Sequence, residues 1–204
     1  MKKILNIQSS PRGKASFSIQ LADAIINKIL AVYPGSEVET IDLVKSSFPH
    51  LEEAHLTSFF TPVEKHTPAD RVAIRHSDES IHAVKDADIL VIGAPMYNFA
   101  IHSTLKAWID HVVRKGLTFS ISETGAEGLV KGKKVYVALA SGGIYSEGPW
   151  KGMDFVEPYL RSVLGFIGLT DITFVRVEGL NIPGVKDSAL EKAIASIRVD
   201  QPSH

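Results

Sequence analysis

The sequence predicts an α/β domain: one parallel sheet, wound in both directions, with helices on both faces. Three observations carry this. The stretches 89–94 and 135–140 are apolar at every position rather than at every second one, as strands buried on both faces are. They alternate with segments of helical period. The 204 residues show no internal repeat and no low-complexity tract, which suits one domain over 1–204 with one well-buried core.

The elements follow in order. Residues 3–8 (Lys-Ile-Leu-Asn-Ile-Gln) read as a short buried strand. Residues 16–32 read as a helix, because Ala22, Ile25, Ile26, Ile29 and Leu30 share one face and Pro34-Gly35 ends it. Residues 37–43 alternate and form a strand; 45–67, with Pro49 and Pro62, is irregular and reads as an insertion. A helix over 70–84 leads to the clearest strand, 87–94, stopped by Pro95. A helix over 104–114 has Leu105, Trp108, Ile109 and Val112 on one stripe. A strand at 133–140, a helix at 155–168, a strand at 171–177 and a helix at 188–198 complete the chain. Five strands and five helices in this order fit a flavodoxin-like doubly wound five-stranded sheet. The right-handed crossover rule and the fold-level analogy give strand order 2-1-3-4-5.

Such sheets bind ligands beyond the carboxyl ends of their strands, where the winding reverses. The three strand ends to read are therefore at Ser9, Pro95 and Ser141. The first, 9–18, places Ser10, Ser16 and Ser18 with Arg12 and Lys14 before a helix N-terminus. Its free N–H groups and partial positive charge suit a phosphate; the alternative is a serine cap beside a solvated loop. The second is an aromatic turn, Pro95-Met96-Tyr97-Asn98-Phe99, which serves a flat ring with a polar edge, or else a loop docked into the core. The third, Ala140-Ser141-Gly142-Gly143, lets backbone approach a ligand closely, or is a plain turn. All three fall on the ligand-binding edge.

Composition removes several function classes. There is no cysteine, so disulfides, thiol chemistry and Cys-ligated metals are excluded. Lys plus Arg number 22 against 23 Asp plus Glu, a net charge of −1, which gives no basic excess for nucleic acid. The eight histidines form no His-x-x-x-His pair, so no metal site is expected. Neither Gly-x-Gly-x-x-Gly nor the nucleotide-triphosphate loop is present, and Asp110-His111 lacks a Gly-x-Ser-x-Gly elbow. No apolar run approaches the ~18 residues of a membrane span, and no signal-like segment follows Met1-Lys2-Lys3. The expected setting is cytoplasmic, without a membrane.

Taken together, Ser-Ser-Pro-Arg-Gly with Ser16-Phe17-Ser18, Pro95-Met96-Tyr97-Asn98-Phe99 and Ser141-Gly142-Gly143 resemble the FMN-dependent NADH-azoreductases, also called FMN-dependent NADH:quinone oxidoreductases. The resemblance extends through 105–110 and 128–134. It implies a tightly held, non-covalent FMN, reduced by NADH or NADPH and reoxidised by a quinone or azo compound. It implies that Ser10, Ser16, Phe17 and Ser18 hold the phosphate, and that Pro95 to Phe99 and Ala140 to Gly143 embrace the isoalloxazine. Asn98 would orient the ring, with Phe99 and Phe119 stacking on the acceptor. No side-chain nucleophile is implied, because the flavin carries the hydride. It implies a homodimer with each flavin near the interface. The chain departs from the family in having Ser141 where an arginine is common and Ile121 where a tyrosine is common. The competing readings are a flavodoxin-like electron carrier, which the near-neutral charge disfavours, and a redox-sensing flavin-binding protein.

Overall fold

The computed structural model describes residues 1–46 and 48–200; Ser47 of the insertion and the last four residues of the expected 1–204 domain lie outside the described residues. The sheet is built from parallel strands β1 (Lys3–Gln8), β2 (Glu37–Asp42), β3 (Ile89–Tyr97), β7 (Lys134–Ala140) and β8 (Asp171–Val177). They lie in the order β2-β1-β3-β7-β8. Ile4 pairs with Val38 and with Ile89, and Ile89 with Lys134, so β1, β3 and β7 are flanked on both sides. That is why 89–94 and 135–140 are continuously apolar and β1 is buried along its middle, Asn6 included, while the edge strand β2 is largely exposed.

Helices α1 (Phe17–Val32) and α6 (Lys186–Ser196) cover one face; α3 (Pro68–Asp86), α4 (Ser103–Val112) and α5 (Glu157–Phe166) cover the other. The face of α1 inferred from period is the buried one, with Ala22, Ile25, Ile26 and Ile29 in the core. Trp108 of α4 is among the largest fully buried side chains. Burying a side chain of such size contributes roughly 3 kcal/mol or more. Among the described residues, no helix is long and apolar enough to cross a membrane.

Four expectations need correction. The five-strand order 2-1-3-4-5 agrees only in outline, because the sheet has a sixth strand, the two-residue β4 (Ala100–Ile101), antiparallel to β3. Second, Pro95 does not stop β3. The strand runs two residues further, since Met96 pairs with Ile101 and Tyr97 with Ala100. Third, the 45–67 stretch holds a helix, α2 (Glu53–Phe60), which packs on α3. Its reciprocal cap comes from His55, whose Nδ1 accepts the Glu52 N–H at 2.9 Å, in place of the usual Glu or Gln. Fourth, a separate hairpin, β5 (Phe119–Ser122) and β6 (Gly125–Gly128), sits where no element was inferred; its strands are four residues each and mostly exposed.

Candidate active site

The parallel pairing puts the carboxyl ends of β1, β3 and β7 side by side: Gln8 pairs with Gly93, and Pro95 with Ala140. The loop after β1 is pinned to β3 by Ser9, whose hydroxyl donates to the Gly93 carbonyl at 2.8 Å. A single 3-10 turn, Gly13–Ala15, then delivers the chain to α1. Ser16 is the N-cap residue of α1, yet its side chain does not cap the helix. Its hydroxyl instead shares a 2.9 Å hydrogen bond with that of Ser18. Ser10, Ser16 and Ser18 are all buried. The first turn of α1 also holds no acidic residue. The helix therefore presents first-turn N–H groups and the positive end of its dipole with no carboxylate or hydroxyl spent on them.

The second loop is the two-residue hairpin between β3 and β4. Asn98 has φ 48° and Phe99 φ 70°, both left-handed, as a type I′ turn requires. Asn tolerates that conformation. Phe99 does so at about 1–2 kcal/mol, and such strain clusters at binding sites. The turn is braced from the segment just before α5, since the Phe155 N–H donates to the Phe99 carbonyl at 3.1 Å. The ring of Phe99 meets Tyr145 edge-on at 6.2 Å, and Tyr97 meets His102 at 5.3 Å.

In the third loop Ser141 donates its N–H to the Val177 carbonyl at 3.0 Å and its hydroxyl to Gly143 O at 2.9 Å. The Asn181 N–H donates to Gly142 O at 2.9 Å, and a Cβ on Gly142 would stand 2.4 Å from Asn181 Nδ2. The Asn181 carboxamide, from the loop after β8, lies against Gly142, so a side chain there would have to displace it.

Two clefts flank the Asn98–Phe99 turn. One, of about 760 Å³, is lined by Phe99, Gly142, Gly143, Tyr145, Trp150 and Asn181 among others. The other, of about 810 Å³, includes Tyr97, Asn98, His102, Lys106, Phe155 and Tyr159. His102 caps α4, its Nδ1 accepting the Thr104 N–H at 3.3 Å, and burial lowers its pKa. Both effects keep the ring neutral, with its proton on Nε2. Burial, followed by the charge of Asp110, pushes Tyr159 up to about 12, so its phenol stays a donor.

The structure thus brings Tyr97, Asn98, Phe99, Gly142 and Gly143 to cleft surfaces. Ser10, Ser16, Ser18, Pro95, Ala140 and Ser141 are buried at the strand ends behind them, with Phe17 and Met96 half-buried. Phe119 lines neither cleft; its ring packs at a tilt against Phe166 of α5, centroids 4.6 Å apart. Sequence reasoning missed Tyr145, Trp150 and Asn181. Trp150 stands 59% exposed in a loop carrying Gly148-Pro149, a signal that was available. For Asn181 there was none.

A family model described as a flavodoxin-like fold matches residues 2–199. An FMN-dependent NADH:quinone oxidoreductase from Herminiimonas arsenicoxydans is 50% identical over 180 residues, covering 88% of each chain. One of the same description from Beijerinckia indica is 44% identical over 193 residues, covering 95% of this chain and 96% of its own. The crystal structure of an FMN-dependent NADH-azoreductase from Bacillus anthracis, in complex with FMN, superposes with TM-score 0.84 at 27% identity, covering 96% of this chain and 97% of the other. With half of the 180 aligned residues identical in the first relative and most of both lengths covered, the chain belongs to the FMN-dependent NADH:quinone oxidoreductase family, on a flavodoxin-like fold.

Proposed function

We propose that this chain binds FMN non-covalently and uses it to pass two electrons from NADH or NADPH to a quinone or azo acceptor. The observation that carries the reading is the uncapped N-terminus of α1, with the buried hydroxyls of Ser16 and Ser18 at its start and buried Ser10 in the loop that leads to it. That donor set fits a phosphate monoester: free N–H groups, hydroxyls and no competing carboxylate in the first turn. The aromatic turn and the glycine loop fit a flat tricycle with one polar edge. When bound, FMN supplies the hydride chemistry, by which the chain needs no side-chain nucleophile.

The protein's part is to bind, orient and exclude. Ser16, Ser18 and the first-turn amides hold the phosphate, with Phe17 beside them. The Asn98 carboxamide, on its strained turn, reads the polar edge and fixes the ring's rotation. Pro95, Met96 and Tyr97 support the ring from β3. The backbone N–H groups around Gly142 and Gly143 would stabilise negative charge on a bound ring, as an oxyanion hole does. Phe99 offers its face to a flat acceptor. Phe119 is turned to Phe166 in its own chain and reaches an acceptor only from a second copy. A homodimer with the flavins near its interface belongs to the same reading, supported by the exposed Phe155, Ile121 and Phe166. A cytoplasmic setting, where NADH is supplied, belongs to it also.

The test is direct. The purified protein with FMN should show a flavin spectrum, bleach on anaerobic addition of NADH, and recover its colour with a benzoquinone or an azo dye. Protein that takes up no FMN, or holds FMN that NADH does not bleach, would end the reading. Sedimentation should give twice the 22.2 kDa chain mass.

A further inference from the structure

Between β7 and α5 the chain arches along the rim of the Phe99 cleft, over residues 145–154, bringing Glu147, Gly148, Pro149 and Trp150 to its wall. The arch holds one 3-10 turn, Lys151–Met153, and no other regular structure, so its place is set by its two feet. At the first foot the N–H groups of Tyr145 and Ser146 donate to Glu178 Oε1 at 2.8 and 3.0 Å. At the second, Asp154 Oδ1 accepts the N–H groups of Val156 and Glu157 at 2.9 and 3.2 Å. One residue on, Phe155 holds the Phe99 carbonyl at 3.1 Å.

Both feet rest on a single guanidinium. Arg176 of β8 donates through Nη1 to Glu178 at 3.3 Å, through Nη2 to Asp154 and Glu157, and through Nε to Glu157 at 3.2 Å. The side chains of Arg176, Asp154 and Glu178 are only 16%, 7% and 12% exposed. Burial works against the charge on Arg176, but its hydrogen bonds to Asp154 and Glu157 outweigh it and raise its pKa. The planar fork has donors at fixed angles, so three carboxylates that hang from three different segments are held in one geometry.

We infer that Arg176 is a positioning residue that sets the spacing between the two walls of the cleft, the Gly142–Tyr145 loop and the Phe99 turn, by clasping both feet of the arch. The inference rests on the flavin reading above, because the walls matter to activity only if the ring lies between them. Arg176 touches neither cleft's inner surface as described. It acts through Glu178 on one wall and through Asp154 and Phe155 on the other.

The test uses the full chain carrying Arg176→Lys, which keeps the charge and loses the fork, with Glu178→Ala as a second variant that frees only the first foot. In the FMN-free protein, hydrogen exchange at the Tyr145 and Ser146 amides should quicken at least tenfold in both variants, while β3 and β7 amides keep their rates. The Phe155 amide should quicken in Arg176→Lys alone. With FMN added, Arg176→Lys should bind it at least tenfold more weakly. The acceptor KM should rise at least fivefold, with kcat changed less than KM. Unchanged exchange in Arg176→Lys overturns the inference. So does quickened exchange with FMN affinity and acceptor KM both within twofold of the parent. Parent protein that takes up no FMN sinks the flavin reading instead, and with it the role assigned to Arg176; a parent that binds FMN and is matched by the variant in both FMN affinity and acceptor KM sinks only that role.

Discussion

His111 makes the folded state acid-sensitive by an amount that can be worked out. The ring lies on α4, fully buried, with neither nitrogen hydrogen-bonded. His55 of α2 crosses it at 4.8 Å, Phe48 at 5.1 Å and Phe59 at 6.0 Å, all edge-on. Burial, then the neighbouring His55, lowers its pKa from 6.5 to about 4, which the nearby Pro49 carbonyl and Asp110 offset only in part. A histidine whose folded pKa is depressed takes up its proton more readily when unfolded. Stability is therefore complete well above pH 6.5 and falls as pH drops from there towards 4. Linkage puts the loss at about 2 kcal/mol between pH 7 and 5, and about 3 kcal/mol by pH 4. Other groups titrate in that range too, so the measurement is a comparison. His111→Leu removes the proton site and two unpartnered polar atoms at similar volume, and should lie within about 1 kcal/mol of the parent at pH 7. Urea melts of the FMN-free protein at pH 7, 6 and 5 should show the parent losing about 2 kcal/mol more than the variant. Parallel losses in the two proteins would refute the account.

Three further outcomes follow from the site and its supports. Asn98→Ala should weaken FMN binding about tenfold and destabilise the turn by about 1 kcal/mol, whereas Asn98→Gly keeps the turn and still loses the affinity; fluorescence titration paired with thermal melts separates the two, and unchanged FMN affinity and turnover in both variants would strip Asn98 of its orienting role. Gly142→Ala places a methyl 2.4 Å from the Asn181 amide, so it should disturb FMN binding, and adding Asn181→Ala should restore most of it; a double variant no better than the single would show that the loop itself is the cause. Gly128→Ala drives a Cβ to 2.2 Å from the Gly168 nitrogen, backbone that cannot yield, and should lower stability by roughly 3 kcal/mol or more in a denaturant melt.

The sheet was legible because its physics is local and repeated. A strand flanked on both sides needs apolar residues throughout, and 89–94 and 135–140 say so by themselves. The α1 face was equally plain, since Ala22, Ile25, Ile26 and Ile29 meet the core at helical spacing. What failed was everything decided by a single unusual partner. The α2 helix depends on His55 as its reciprocal cap, a residue the capping pattern does not ask for. The continuation of β3 past Pro95 depends on Ala100 and Ile101 folding back onto Tyr97 and Met96, through a turn whose second residue is Phe99, where glycine would be the choice on local grounds. Propensity argued against that turn, and the surrounding contacts impose it.

The same division runs through the site. Ser10, the Asn98 turn and Gly142-Gly143 could be picked out because each lies just after a strand, and Ser16 and Ser18 because they open the helix that follows β1, where the architecture points. Trp150 and Asn181 lie farther along the chain and reach the cleft only because β8 and the arch bring them there. Arg176 is the extreme case. In sequence it is an arginine at an alternating position of an edge strand, the most ordinary place for a solvated charge. In the fold it is mostly buried and meets carboxylates from the arch, from α5 and from the residue after its own strand. Spacing along the chain carries no trace of that convergence, since 22 residues separate Arg176 from Asp154. The residues proposed to meet the ligand can be read from loops beside strand ends; the parts that hold those loops in place become visible only once the sheet has set its register.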